Sequence, residues 1–530
     1  MAILVSGLRL ELEENAETLK GKASKRLGIR PEQIESFHLV KKAVDARRKG
    51  KPFFVCTAAV GLKQNEQALV QSLDSPQVTL QKEEKLSVVF GDKPLEYPPV
   101  VVGFGPAGMF AALLLARNGF RPVILERGGD MQQRTQAVKA FWETGLLNDS
   151  TNVQFGEGGA GTFSDGKLTT RISDPRCRYI LEELVAHGAP EEILFQAKPH
   201  VGTDRLRKVV IAIREEIIRL GGTFHFETQL LDLKLAGGRF CGVVTSRGEI
   251  PAQTVLLAIG HSARDTIKAL HDRGVSVEPK AFSVGVRIEQ LQADIDRGLY
   301  GEYAGHPALP KGEYQLSHRE GEAGVYTFCM CPGGLVVPAA SEQGGVVTNG
   351  MSYYARDGVN SNAALVASVS PADWGGEPLG GMAFQQGLER TAFAAGGGTF
   401  AAPIQTVGRF LAGRPGAELK DIAPTYASGT APADLQKVLG KTLADRLRQG
   451  LLRFNRRLPG FGRDDAVLTG VETRTSSPVR IPRGENLQAP GIEGLYPLGE
   501  GAGYAGGIVS AAVDGLRGAQ AVLALYAPLD

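Results

Sequence analysis

The sequence predicts an α/β fold in which a parallel sheet is built from two distant parts of the chain, with an inserted α+β domain between them and a small α+β module in front. Three stretches predict this fold. Residues 100–126 have the pattern strand, glycine turn, helix and strand, residues 494–524 have the pattern strand, glycine turn and helix, and residues 279–460 mix strands with irregular glycine-rich segments. Strands that alternate with helices are typical of parallel sheets covered by helices.

The first stretch holds three glycines in the spacing Gly-x-Gly-x-x-Gly, directly after a short apolar strand. Gly103 permits a tight turn, Gly105 lets the backbone approach a pyrophosphate, and Gly108 allows the helix to pack closely on the strand. The helix is expected at residues 109–117, with Pro106 and Ala107 as further cofactor contacts in the turn before it, and unpaired amides at a helix N-terminus favour an anion. This order of elements predicts a Rossmann-like site for an adenine dinucleotide.

An acidic residue, Glu126, ends the second strand and is followed by Arg127. A carboxylate in this place can accept hydrogen bonds from both hydroxyls of an adenosine ribose, whereas it would repel a 2′-phosphate. NAD and FAD both fit this pattern, so the choice between them depends on the C-terminal part of the chain.

A glycine-rich loop, residues 155–167, follows the first dinucleotide pattern. Such a loop cannot build a core, but it can present amides, a hydroxyl and an ammonium group to a dinucleotide. We expect Gly159, Gly161, Ser164 and Lys167 to form a second clamp on the cofactor. A flexible surface lid is the alternative.

The chain returns to the cofactor at residues 494–508. We expect a strand that ends at Gly499 and Glu500 to offer its carboxylate to a ribityl hydroxyl. We expect the amides of Gly507 and Ile508, at a helix N-terminus, to face the edge of a flavin that gains negative charge on reduction. NAD would not use this clamp, so FAD is the predicted cofactor.

Two helices and a meander of short strands should connect the glycine loop to the inserted domain. The helices are expected at residues 175–187 and 204–220, and the strands between residues 223 and 259. The last strand leads into Gly260. Flavoproteins with two dinucleotide folds use such a meander to bring the chain back beside the cofactor.

The N-terminal residues predict a ferredoxin-like unit with the order β-α-β-β-α-β. Its strands and helices are expected at residues 3–10, 16–27, 34–44, 53–60, 66–73 and 86–90. The turn between the two middle strands, residues 41–51, is basic. It is a candidate dock for RNA, a nucleotide phosphate or an acidic partner, although an exposed turn is often charged only for solubility.

These patterns divide the chain into four parts. They are an N-terminal module at residues 1–92, the first part of an FAD-binding domain at 93–278, an inserted substrate domain at 279–460 and the second part of the FAD-binding domain at 461–530.

The bulk composition is that of a globular protein of 530 residues, with 68 glycines and a formal net charge of +2. Because no large positive field is expected, nucleic acid and anionic membranes are not predicted as main partners.

No run of about 18 apolar residues indicates a membrane span, and the N-terminus lacks the pattern of a signal peptide. Five scattered cysteines do not indicate a disulfide framework. We therefore expect a cytoplasmic protein with reduced thiols.

With both ends considered, the sequence resembles FAD-dependent oxidoreductases that have a glutathione-reductase-type flavin fold, and more closely a family of uncharacterised FAD-dependent dehydrogenases. The resemblance covers nearly the whole chain. Its most specific segments are GEGGAGTFSDGK at 156–167, FCMCPGG at 328–334, ETRTSSPVR at 472–480 and GEGAGYAGG at 499–507. The resemblance implies a fold and a cofactor but no substrate. The cysteine pair that disulfide reductases of this fold carry shortly after the first glycine motif is missing, so classical disulfide reduction is not expected.

Three functions stay open. The leading one is an FAD-dependent oxidoreductase, a dehydrogenase or reductase, that transfers a hydride through flavin N5 to or from an organic substrate held by the inserted domain. The alternatives are a flavoprotein that binds RNA through the basic N-terminal turn and a lipid reductase of the geranylgeranyl type. No second Gly-x-Gly-x-x-Gly follows a strand, so NAD(P)H as electron donor is not evident.

Two arginines are candidates for holding an anionic substrate or the reduced flavin. They are Arg287, in a predicted strand, and Arg474. Each could instead be a structural guanidinium paired with a nearby carboxylate, Glu289 or Glu472.

Two pairs of side chains are further catalytic candidates. Tyr353 and Tyr354 are candidate proton donors, although adjacent aromatic residues in a strand are more often packing residues. Cys329 and Cys331 are separated by one residue, so in a regular strand both sulfurs would point into one cavity beside the flavin. They could serve as nucleophile, redox partner or soft metal ligand, or be small buried hydrophobic residues. Two thiols are too few for a closed zinc site, and no metal is expected.

Overall fold

The N-terminal module is a four-stranded antiparallel sheet with two helices packed against it. We describe it from a computed structural model that covers residues 2–47, 50–63, 65–81, 86–320 and 323–529. Its elements are β1 (Ala2–Leu10), α1 (Ala16–Leu27), β2 (Ile34–Asp45), β3 (Phe53–Leu62), α2 (Glu66–Leu73) and β4 (Val78–Gln81). The strand order β2-β3-β1-β4 is that of a ferredoxin-like unit, which confirms this part of the predicted fold class.

The last strand of this module was placed wrongly at residues 86–90. The sheet is completed by β4, which pairs antiparallel with β1. Leu86 and Val88 instead pack against the core of the next unit, where Gly91 N donates to Leu523 O at 2.8 Å. Their apolar character therefore reflects packing between units and not a strand.

The first part of the flavin-type unit contains the predicted strand, turn and helix. Its elements are β5 (Val100–Val102), α3 (Pro106–Arg117), β6 (Val123–Leu125), α4 (Met131–Thr144), α5 (Arg176–Ala186), α6 (Thr203–Arg219), β7 (Thr223–His225), β8 (Leu230–Ala236), β9 (Arg239–Thr245), β10 (Gly248–Pro251), β11 (Val255–Leu257) and α7 (Arg264–Asp272). Strands β8, β9 and β10 form the predicted meander.

The inserted unit is built on a seven-stranded sheet. Its elements are β12 (Glu278–Pro279), β13 (Phe282–Leu291), α8 (Gln292–Tyr300), β14 (Ser317–Glu320), β15 (Ala323–Cys331), β16 (Leu335–Pro338), β17 (Thr348–Met351), β18 (Asn360–Val369), α9 (Gly380–Ala395), β19 (Ala402–Thr406), α10 (Val407–Leu411), β20 (Thr430–Pro432), α11 (Leu435–Leu439), α12 (Lys441–Arg457) and β21 (Val467–Glu472). The strand order is β14-β15-β18-β13-β21-β19-β20. Because β21 pairs with β13, we propose that this unit extends past residue 460 to residue 472.

The return of the chain completes the parallel sheet. Its elements are β22 (Val479–Arg480), β23 (Leu495–Pro497) and α13 (Ile508–Leu523), and the five-stranded order is β23-β11-β5-β6-β7. Short 3₁₀ helices lie at Pro31–Gln33, Ala160–Phe163, Glu191–Leu194, Gly301–Tyr303 and Pro371–Trp374.

The parallel sheet is the middle of three layers. Val101, Ile124 and Leu256 share a core with α3 and α13 on one face, while Val100 and Leu257 share a core with the β8–β10 meander on the other. Both faces are buried, which is why these strands are continuously apolar. The three-layer ββα arrangement is therefore confirmed. Within the described residues, no helix is both long and apolar enough to cross a membrane.

Candidate active site

A cleft of about 1440 Å³ lies between the carboxyl ends of the parallel strands and the seven-stranded sheet. Small-molecule pockets usually measure roughly 300–1,000 Å³, so this cleft has room for a dinucleotide and a further ligand. Most of the residues proposed from the sequence as cofactor contacts line it. They are Gly103, Gly105, Pro106, Ala107, Glu126, Arg127, Gly159, Gly161, Ser164, Lys167, Gly260, Gly499, Glu500, Gly507 and Ile508.

The glycine turn brings bare backbone to the cleft. Gly103 has φ +92°, and a Cβ there would lie 2.4 Å from Ala258 O. A Cβ on Gly159, which also has positive φ, would lie 2.8 Å from the Cα of Gly105. Gly108 does not line the cleft: a Cβ there would lie 1.9 Å from Gly103 O, so its role is close packing of α3 on the turn. The wall between Gly105 and Gly159 is therefore backbone, beside the N-terminus of α3.

The Glu126 carboxylate holds three loops together. Its Oε2 accepts from Phe104 N at 2.9 Å, and its Oε1 accepts from Gly128 N at 2.9 Å and Gly156 N at 3.0 Å. Neighbouring Arg127 is tied to Asp265 at 2.8 Å. Glu126 thus fixes the first glycine turn to the glycine-rich loop and still borders the cleft.

The glycine-rich loop is organised by Arg134, a residue that the sequence analysis did not single out. Arg134 lies on α4 and is fully buried. Its guanidinium donates to the carbonyl oxygens of Asn152 (2.9 Å), Val153 (2.8 Å), Gly156 (3.3 Å), Glu157 (2.6 Å) and Gly159 (2.9 Å). Burial lowers the pKa of Arg134. The sequence marks the helix that carries Arg134 only by the capping box of Asp130 and Gln133, with which α4 starts.

The same loop is anchored at its far end to the inserted unit. Lys167 Nζ lies 2.6 Å from Glu313 Oε1. Asp165 is fully buried and accepts hydrogen bonds from Ser352 and from Arg356, the latter at 3.0 Å from Nε. Because most of residues 151–167 are buried, the loop does not have the exposure of a surface lid.

The C-terminal return forms the opposite wall of the cleft. Gly507 is the N-cap of α13, and Gly499 N donates to Asp514 Oδ2 on the same helix at 2.7 Å. The Glu500 carboxyl lies 3.5 Å from His261 Nδ1. Burial raises the pKa of Glu500 to about 7. This carboxyl can therefore hold or release a proton near neutral pH.

Cys329 and Cys331 do not share one face of the cleft as predicted. Strand β15 has a bulge between Phe328 and Cys331, and Cys329 has φ +42°. Cys329 lines the cleft, whereas Cys331 is fully buried with its Sγ 3.4 Å from Cys329 O. The expectation of regular alternation was wrong because the bulge inserts an extra residue and turns the chain.

Comparison with known proteins identifies the family. The chain is 45% identical over 527 residues to an uncharacterized protein of Clostridium beijerinckii, with 99% of each chain covered. Residues 281–475 match the model of the "FAD-dependent protein, C-terminal domain-like" family, and residues 2–61 match a domain of unknown function. The chain belongs to the first of these, the family of FAD-dependent proteins. The cofactor is FAD.

Solved structures show only remote likeness to this flavoprotein. An L-amino acid deaminase from Proteus vulgaris is 12% identical, with 84% of this chain and 94% of that chain covered and a TM-score of 0.36. A glycine oxidase from Bacillus cereus is 11% identical, with 81% and 97% covered and a TM-score of 0.32.

The cradle of the flavoprotein fits FAD. Its walls at Gly105 and Gly159 are backbone that a Cβ would obstruct, and two helix N-termini, those of α3 and α13, border the cleft and favour the charge of a pyrophosphate and of a reduced flavin. The carboxyl groups of Glu126 and Glu500 supply hydrogen-bond acceptors at opposite ends of the cradle. The donors, acceptors and volume therefore match an extended dinucleotide.

Arg287 does not line the cleft. Its guanidinium is fully buried on β13 and makes a two-pronged pair with Glu472 of β21, at 2.9 and 2.8 Å. It also donates to Cys329 O at 3.0 Å. The pairing of β13 with β21 selects Glu472 as the partner, and Glu289 instead accepts from Thr425. Arg287 therefore holds the strands and the bulge in place and is not placed to hold a substrate.

Arg474 borders the cleft but is committed to buried partners. It lies 3.2 Å from Glu389, which also pairs with Arg264 at 2.7 Å. These two guanidinium groups lower the pKa of Glu389 to about 2 despite its burial. Most of the positive charge of Arg474 is thus compensated before any ligand is considered.

The tyrosine pair lies away from the cleft. Tyr353 is 49% exposed, and Tyr354 donates to Glu192 and stacks on His200 with ring centroids 5.4 Å apart. Neither residue lines the cleft, so the interpretation of these residues as proton donors to a substrate was wrong.

Proposed function

We propose that this flavoenzyme is a dehydrogenase or reductase of a small anionic organic substrate, which binds between the FAD cradle and the seven-stranded sheet. The observation that carries this proposal is the continuity of the cleft from the glycine turns to β15 and to a cationic mouth. When bound, FAD supplies hydride exchange through its N5 position. The chain's own residues hold, orient and screen the reactants.

The charge distribution favours an anion. Inside the cleft, Arg127, Lys167 and Arg474 are each paired with a carboxylate. At the mouth, Arg171 is exposed and forms no ion pair with a described residue, and Lys198 donates only to a main-chain oxygen, Glu313 O, at 3.4 Å. Lys198 also interacts with the carboxylate of Glu313, whose pKa it lowers. The uncompensated charge at the entrance is therefore that of Arg171, and such a charge raises the local concentration of anions.

The inner part of the cleft supplies groups for proton transfer. Glu500 lies beside His261, and burial raises its pKa to about 7. Burial lowers the pKa of His261 to about 3, so this imidazole is neutral and can accept or donate a hydrogen bond without charge. A carboxyl that titrates near neutral pH is suited to general acid or base catalysis. We assign this role to Glu500.

The experiment is an anaerobic screen of metabolites by bleaching of the flavin absorbance, followed by kinetics of the best substrate. We expect carboxylates or phosphates to bleach the flavin. The Arg171→Gln/Lys198→Gln variant should raise KM about tenfold, the equivalent of about 1.4 kcal/mol, with kcat little changed. Lys268→Gln, an exposed lysine of α7 paired with Asp272, is the matched control. Bleaching by neutral or cationic compounds alone would refute the proposal.

The RNA-binding alternative gains no support from the basic turn. Arg48 and Lys49 lie outside the described residues. Of the other four cations there, Lys41 is exposed, while Arg47 pairs with Asp45 at 2.5 Å, Lys51 pairs with Glu13 at 2.7 Å, and Lys42 lies 4.0 Å from the centre of the Phe54 ring. Nucleic-acid affinity depends on cations that are available to phosphates.

The lipid-reductase alternative gains no support from the cleft. A polyisoprenyl chain needs a long apolar tunnel, but polar and charged side chains recur along the substrate side. They include Lys167, Glu313, Thr327, Asn349 and Glu472. A lining in which such groups recur is not the continuous apolar tunnel that a polyisoprenyl chain needs.

A further inference from the structure

We propose that Cys329 and Cys331 form a reversible disulfide that exchanges two electrons with the bound FAD. The proposal goes beyond the small-molecule substrate and does not depend on its identity. It also differs from the classical arrangement, because the cysteines lie on a strand of the inserted unit and not after the first glycine motif.

The first argument is the local backbone geometry. Along β15, Phe328 pairs with Ala364 and Cys331 pairs with Asn362, so the bulged strand has one residue more than its partner. In a regular strand, residues two apart are about 6.6 Å from each other, close to the upper limit for a disulfide. The bulge, with Cys329 at φ +42°, replaces this regular spacing, and Cys331 Sγ lies 3.4 Å from Cys329 O.

The second argument is the division of exposure between the two thiols. Cys329 borders the cleft, and Cys331 is fully buried beneath it. A redox pair needs one accessible sulfur and one that resolves it. Cys329 has the position of the first and Cys331 that of the second.

The third argument is electrostatic. A hydrogen bond from Cys331 and the charges of Arg287 and Lys167 lower the pKa of Cys329, against the effect of burial. The interaction with Cys329 and burial raise the pKa of Cys331. The site therefore favours one thiolate and one thiol, which is the reactive state of a dithiol.

The fourth argument connects the pair with the cofactor. Cys329 and Glu500 both line the cleft, and the charge of Cys329 contributes to the raised pKa of Glu500. Glu500 belongs to the C-terminal clamp of the FAD cradle. Cys329 is thus the thiol that faces the cofactor side of the site.

The reaction balances without any further reagent. From the state with one thiolate and one thiol, the remaining S–H bond breaks, one S–S bond forms between Cys329 and Cys331, and two electrons and one proton pass to bound FAD. The reverse reaction reduces the disulfide with the same two electrons. A metal at this place is not supported, because no group of three or more possible metal ligands occurs among the described residues.

The test uses the FAD-loaded protein after oxidation in air. In an anaerobic dithionite titration, we expect the wild type to consume two more electron equivalents per FAD than the Cys329→Ser/Cys331→Ser variant. Alkylation of the oxidised, denatured wild type should label only Cys56, Cys177 and Cys241, and peptide mapping should find Cys329 linked to Cys331. Cys241→Ser, which removes an exposed thiol, is the control and should titrate like the wild type.

Labelling of Cys329 and Cys331 in the oxidised wild type, or equal electron uptake by wild type and double variant, would overturn the proposal. The labelling result requires no variant, so it stands even where the double variant does not fold. Neither readout involves a substrate. A failure here is therefore separate from a failure of the anionic-substrate proposal.

Discussion

Substitution of Arg134 by lysine tests how the glycine-rich loop is held. The change keeps the positive charge but replaces a planar fork of five donors by three donors on one nitrogen. The five carbonyl acceptors are spread along residues 152–159. A single ammonium group cannot reach all of them, and at least two carbonyls lose their donor.

The expected size follows from the cost of buried unpaired carbonyls. At about 1–3 kcal/mol for each, the loss of two partners lowers the free energy of unfolding by about 2–6 kcal/mol. The ordered loop forms one wall of the FAD cradle, so part of this cost appears in cofactor binding. Since about 1.4 kcal/mol is a factor of ten, we expect the Kd for FAD to rise at least tenfold.

The assay combines urea denaturation, followed by circular dichroism, with FAD binding measured by flavin fluorescence. Lys139→Gln, on the exposed side of the same helix and in a weak pair with Glu143 at 3.8 Å, is the control and should change stability by less than about 0.5 kcal/mol. An Arg134→Lys protein with the stability and FAD affinity of the wild type would refute the reasoning.

Three other outcomes follow from the same site. Glu126→Ala removes the acceptor of three backbone N–H groups, so we expect FAD to be lost on gel filtration, and retention of stoichiometric FAD would contradict this. Glu500 has a pKa of about 7 in the folded protein and 4.5 ordinarily; the folded state therefore binds the extra proton, and the stability of the apoprotein falls as pH rises from about 4.5 to 7. Glu500→Gln should remove this pH dependence, which changes the free energy of unfolding by a total on the order of 2 kcal/mol across the range. Denaturation series at several pH values measure it, and parallel pH profiles of variant and wild type would count against the prediction. Finally, because no second dinucleotide motif is evident, NADPH alone should reduce the flavin slowly, and rapid anaerobic bleaching in a stopped-flow experiment would disprove this.

The cofactor half of the site was predictable because its requirements are local. Gly103 and Gly159 need positive φ or close backbone approach, and only glycine meets both needs without strain. Glu126 had to stand at a strand end within the same β-turn-α-β pattern. Each of these positions is therefore marked by residue type and spacing alone.

The substrate half was not predictable because its contacts join distant parts of the chain. The partner of Arg287 depends on the pairing of β13 with β21, which no short-range pattern records. In the cofactor half, Arg134 was missed for a different reason, because it binds main-chain carbonyls, and these carry no residue-type signal at all. The bulge at Cys329 reverses the expected side of one sulfur, and alternation in the sequence cannot reveal it.

The helix that follows the first glycine turn is apolar almost all around, and its cover is made very late in synthesis. Helix α3 packs on the sheet and against α13, where a Cβ on Gly515 would lie 2.0 Å from Ala107 O. Both α13 and the edge strand β23 lie after residue 490, at the other end of the chain. Because a ribosome releases the N-terminal part first, a nascent chain displays an uncovered α3 while the whole inserted unit is still being made. FAD can therefore be enclosed only after the chain has been synthesised through α13.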